Sequence, residues 1–95
     1  MSTSPYPTAK FRMGKIVATP NALSHLTPGD ILLGIRRHQA GDWGDVDEHD
    51  REANESALIA GGRLLSVYHA ITGVKFWIIT EADRATSTIL LPEDY

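Results

Sequence analysis

The chain has 95 residues, enough for one compact domain and too few for two, with 42% hydrophobic and 22% charged residues, the balance of a folded soluble protein rather than a disordered one. It carries no cysteine, which excludes disulfides, thiolate zinc sites, iron–sulfur clusters and cysteine nucleophiles. Its net charge of −3 argues against binding nucleic acid over the whole surface, and no apolar run approaches membrane-spanning length.

The first nine residues are rich in proline, serine and threonine, lack the basic and apolar runs of a signal peptide, and read as a flexible tail before a domain over 10–95. A cytoplasmic location is expected. A strand follows over Lys15–Thr19, with Gly14 as a bulge or kink before it. Thr19-Pro20 and Thr27-Pro28 each pair a capping hydroxyl with a proline at the first helical position, and predict two helices. The second runs from Pro28 to about Gln39, with Asp30 in its first turn, Arg36 and Arg37 in its last, and Gly41 as the stop. Ile31, Ile35 and His38 share its inward face, with Leu32 beside them.

Residues 36–54 concentrate six of the twelve acids, two histidines and a tryptophan in one connection, which makes it the first place to seek a site. Trp43, between Gly41 and Gly44, is either a latch over the core edge or a stacking platform for a base or a partner's side chain. Asp45 or Asp47 caps a third helix from about Val46 to Ala60, ended by Gly61-Gly62, with Val46, His49, Ala53, Ala57 and Ala60 on its inward face.

Three β-rich segments remain, Arg63–Ala70, Lys75–Glu81 and Thr86–Leu91, with turns at Thr72-Gly73 and Asp83-Arg84. Two-residue loops at both turns would place Leu65, Val67, His69, Phe76, Ile78, Ile89 and Leu91 on one face, and Leu64, Tyr68, Trp77, Ile79 and Leu90 on the other. The predicted fold is α+β: one strand, two to three helices, then a three-stranded antiparallel meander packed on the helices. Helices cover one apolar face, so the other calls for the amino-terminal segment, a loop, a homodimer or a partner.

No catalytic or metal signature has the required spacing. Asp45-x-Asp47-x-His49 alternates like the opening of a calcium loop but lacks the glycine and closing glutamate, so no metal or cofactor is expected. Ser56, Ser66 and Ser87 have no base close by in sequence, and Gly61-Gly62-Arg63 leads into a strand rather than a helix, which excludes a phosphate loop. Metal-independent ribonuclease chemistry stays open, with His38, His49 and His69 as acid and base and Arg84 as phosphate ligand; Arg63, Thr86, Thr88 and Tyr68 offer further polar groups. The order strand, helices, meander resembles the small nuclease fold of RelE-type and barnase/EndoU/colicin-type toxins, which implies RNA as the partner. The first reading is protein binding through Arg37, Asp42, Trp43, Asp45 and Asp47, to which the nuclease is the alternative.

The phrases R-R-H-Q-A-G-D-W-G-D (36–45), D-R-E-A-N (50–54), G-G-R-L-L-S-V-Y (61–68), F-W-I-I-T-E-A-D-R (76–84) and T-I-L-L-P-E-D-Y (88–95) resemble a family of small bacterial proteins of plasmids and integrative elements. Some of its members carry a type I restriction subunit label. The resemblance implies the habitat of a mobile genetic element and no particular activity. Small size, an acidic surface, a two-faced apolar sheet and the lack of a complete active site point to an accessory protein that binds a host or element protein.

Overall fold

The computed structural model describes residues 9–95, so all but the last residue of the expected tail lies outside the described residues. The elements are β1 (Lys15–Ala18), α1 (Pro20–His25), α2 (Pro28–Gln39), α3 (Glu48–Ala60), β2 (Leu64–His69), β3 (Lys75–Thr80), β4 (Thr86–Leu90) and a 3-10 turn at Pro92–Asp94. The α+β class is as the sequence indicates. The sheet, however, has four strands in the order β1-β4-β3-β2, because β1 joins the meander parallel to β4.

The helix starts follow their capping chemistry. Thr19 accepts from the Ala22 amide at 3.0 Å, and Thr27 and Asp30 form a reciprocal capping box with distances of 3.1 and 3.0 Å. α2 turns Ile31, Gly34, Ile35 and His38 inward, while Leu32 is 51% exposed and so lies off that face. Gly34 is the reason α2 can lie close to β3: a Cβ there would sit 3.0 Å from the Phe76 ring and 3.2 Å from Ile78.

The third helix is capped by Asp47, which accepts from the Asp50 amide at 2.8 Å, and Val46 stays outside it. Its inward face is rotated from the alanine face expected: His49, Ala53 and Ala60 are exposed, and Asn54 is buried. The cause is the free edge of β2. The Asn54 amide donates to the Leu65 carbonyl at 2.7 Å and its oxygen accepts from the Leu65 amide at 3.0 Å. Alanine offers a strand edge no such partner. One residue pair further along, Val67 donates to Trp43 and accepts from Asp45 in a short parallel bridge at Gly44.

The first hairpin also departs from the expected register. Ala70 and Val74 pair around the three residues 71–73, with Gly73 at φ +94°, rather than around a two-residue turn. That one-residue slip moves Leu64, Ser66 and Tyr68 to the face of Phe76 and Ile78, and Leu65, Val67 and His69 to the face of Trp77 and Ile79. The second hairpin closes around residues 82–85, which keeps the expected parity of β3 with β4.

The first face carries the core. Tyr68, Phe76, Ile78, Ile89 and Leu91 pack there with Ala22 and Leu26 around α1 and with Ile31 and Ile35 of α2. The second face presents Leu65, Val67, Trp77 and Thr88, all half-buried, around the buried Ile79 and Leu90. Among the described residues no helix is long and apolar enough to cross a membrane.

Candidate functional site

His38, the leading acid–base candidate, is fully buried among polar groups of the core face. Its Nδ1 is bonded to the Ser66 hydroxyl and its Nε2 lies 2.9 Å from Thr80 Oγ1. Thr80 Oγ1 is 2.7 Å from Ser87 Oγ, which donates at 2.7 Å to the Met13 carbonyl. The direction of every proton follows from that last carbonyl, which can only accept. Ser87 spends its proton on it, so Thr80 must donate to Ser87. Thr80 oxygen then accepts from His38 Nε2–H, and the bare Nδ1 accepts from Ser66. Burial, with the Arg84 charge as a lesser cause, pulls the His38 pKa down to about 3, so the imidazole is neutral.

Ser66, which has no base near it in sequence, therefore does face an imidazole. Both residues are fully buried, and the ring is enclosed by Phe11 and Trp43, at 5.1 and 5.7 Å between centroids. A substrate carbonyl or phosphate has no path to this pair. The chain of hydroxyls supplies specific polar packing of the core.

The other nuclease candidates do not join it. His49 is exposed on α3, and His69 is exposed on the face of the sheet opposite to His38. Arg84 donates to the carbonyls of Gly62, Ala57 (3.0 Å), Glu81 (3.1 Å) and Ala82 (3.4 Å), tying the end of α3 to the β3–β4 turn. Its guanidinium is committed to backbone rather than to a phosphate.

The binding candidates of the α2–α3 connection divide by role. The Trp43 indole is 1% exposed and donates to Glu55 at 2.7 Å, the geometry of a latch rather than of an open platform. Asp42 receives Arg37 at 2.7 and 3.3 Å, and this hydrogen bond holds its carboxyl below the usual range. Arg37 also lies 4.6 Å from the centroid of Tyr68, whose hydroxyl donates to the Asp42 carbonyl at 2.6 Å. Asp45 is exposed beside the bridge to Val67, and Asp47 is used as a helix cap. Among the described residues, no three His, Asp or Glu side chains gather as a metal site would require.

One concave feature lies elsewhere, on the second face of the sheet. It is a cavity of about 230 Å³ lined by Leu65, Trp77 and Ile79, with Arg63 and Tyr95 as walls. Arg63 donates to the Tyr95 hydroxyl at 2.8 Å and meets Glu81 at 3.4 Å, contacts that hold its guanidinium firmly protonated. Tyr95 stands 5.7 Å from Trp77 between ring centroids, at 63°. It is held there by the 3-10 turn, since Asp94 accepts from Thr19 at 2.7 Å, from Asn21 at 3.1 Å and from the Leu91 amide at 3.0 Å. Sequence reasoning places Arg63 only in a general pool of polar groups and does not single out Trp77, Glu81 or Tyr95. The available signal was the alternation of Trp77 and Ile79 on one face, close to a charged strand start at Arg63.

Comparison with protein-family models, with curated proteins and with solved structures returns no significant match to this chain.

Proposed function

We propose that this chain is a non-catalytic binding protein, an accessory protein of a bacterial mobile genetic element that engages a host or element protein. The docking surface is the second face of the sheet, around Leu65, Val67, Trp77 and Thr88. The observation that carries this reading is the pairing of a half-buried apolar face and its cavity with the internal use of His38 and Arg84. Aromatic and aliphatic side chains around a pocket are the usual anchors of protein interfaces. The resemblance to plasmid and integrative-element proteins supports the setting.

Affinity purification from an element-bearing host tests the reading. The wild type should retain one discrete protein, and Leu65→Glu should retain at least about tenfold less of it, as expected for a charge placed in an interface core. His69→Ala, at the margin of the face, should retain it fully. A Leu65→Glu variant that folds and keeps the partner contradicts the proposal, as does a wild type that retains nothing.

A further inference from the structure

The cavity on the second face has a chemistry more specific than that of an apolar slot. Three of its walls are apolar, Leu65, Trp77 and Ile79, and its one charged wall is Arg63, ion-paired with Glu81 just outside. We propose that it binds a small apolar α-amino acid as the free zwitterion, with the side chain in the cavity, the carboxylate on Arg63 and the ammonium on Glu81. The site lies within the proposed docking face, but its occupation by a small molecule requires no protein partner.

Size supports a molecule of this class. A cavity of about 230 Å³ falls below the roughly 300–1,000 Å³ of pockets that hold drug-sized ligands. A nucleotide is too large for it. Shape adds a second constraint, because the rings of Trp77 and Tyr95 meet at 63° and leave a corner rather than a parallel slot. A corner floored by leucine and isoleucine suits a branched aliphatic group better than a flat ring.

Charge decides the rest. The Arg63–Glu81 pair is loose, at 3.4 and 3.5 Å, whereas tight charge-assisted bonds lie near 2.7–2.9 Å. Its side chains are also 50% and 46% exposed, so drawing the two apart costs little. An anion taken by Arg63 frees the Glu81 carboxylate beside the cavity to take an ammonium group in its turn. A zwitterion satisfies both at once. Tyr95 accepts from Arg63 and keeps its own O–H to donate to the incoming carboxylate.

The test is a titration of the wild-type protein followed by ¹H–¹⁵N NMR at the Trp77 indole, Arg63 Nε and the Leu65 amide. L-Leucine should give saturable shifts at all three, with a dissociation constant in roughly the millimolar range or tighter. N-acetyl-L-leucine lacks the ammonium and L-leucinamide lacks the carboxylate, and each should bind at least about tenfold more weakly, as expected for the loss of one charged hydrogen bond. Leu65→Phe, which fills the cavity, should abolish the shifts while keeping the native spectrum elsewhere. The proposal is overturned if L-leucine, L-isoleucine, L-valine and L-methionine all leave the three signals unmoved. Equal binding of the zwitterion and its blocked forms, or undiminished binding to a folded Leu65→Phe, overturns it too. The titration is made on the isolated wild-type protein, so the absence of a protein partner leaves these shifts unaffected and the two readings fail separately.

Discussion

His38 is held between two hydroxyls that come from 28 and 42 residues further along the chain. Helical spacing was enough to turn it inward, but nothing local to residue 38 announces Ser66 or Thr80. The same gap applies to Arg84, whose charge is visible in sequence while the four carbonyls that occupy it are not. The neutral, buried imidazole has a consequence for stability. An unfolded histidine titrates near 6.5 and the folded one near 3, so between those values the unfolded state binds a proton that the native state refuses. The contribution is fully present above pH 6.5 and is lost as pH falls toward 3, by up to about 5 kcal/mol at roughly 1.4 kcal/mol per unit. Below pH ~4 the carboxyls of Asp30, Asp42 and Asp94, whose pKa values are lowered by hydrogen bonds, add to the loss. Urea unfolding from pH 7 to pH 4 should therefore show stability falling through the histidine range. In His38→Leu that limb should flatten, although the variant is less stable at neutral pH because Ser66 and Thr80 lose their partner. An unchanged slope in His38→Leu is incompatible with a neutral native imidazole.

At the scale of elements, the well-marked parts were those with their own local chemistry. α2 runs from Pro28 to Gln39 as its capping threonine, proline and glycine stop imply. α3 and β2 were less legible because their orientation is decided by partners far away in sequence. A buried asparagine sealing a strand edge breaks the apolar pattern of α3, and a three-residue turn at 71–73 shifts β2 by one. The turn between β3 and β4 holds a different device. Arg84 adopts φ +60°, unusual for a side chain-bearing residue, and the Cβ that Gly14 lacks would collide with the Arg84 and Ala85 carbonyl oxygens. Backbone strain at Arg84 is offset by its bonds to the end of α3. Arg84→Ala should then destabilise the fold by about 2–4 kcal/mol in chemical unfolding. Arg84→Gly should cost about 1 kcal/mol less than Arg84→Ala, because glycine relieves the positive φ. A phosphate ligand on a relaxed loop would give the opposite pattern, with stability unchanged in both variants.

Across the whole molecule, the sheet divides the protein into a structural side and an open side. α1, α2 and the buried hydroxyl chain occupy the first, and the C-terminal turn lies against the second through Tyr95. That both faces of the sheet are apolar was readable from the sequence, since both sets of alternating residues are apolar. The composition of the second face was not readable, because the slip in the first hairpin exchanges which β2 residues join Trp77 and Ile79. The central claim is that this open side, and not the acidic connection or the histidines, meets the partner. It is tested most directly by placing a photoreactive amino acid at positions 67, 88, 32 and 59 in turn, and irradiating bacterial cells that express the protein. Position 67 lies on the open face beside Trp77, position 88 beside Ile79, and Leu32 and Ile59 are exposed on the outer sides of α2 and α3. The account predicts one discrete covalent adduct from positions 67 and 88 and none from 32 or 59. Adducts confined to 32 or 59, with the open face unlabelled, would contradict it.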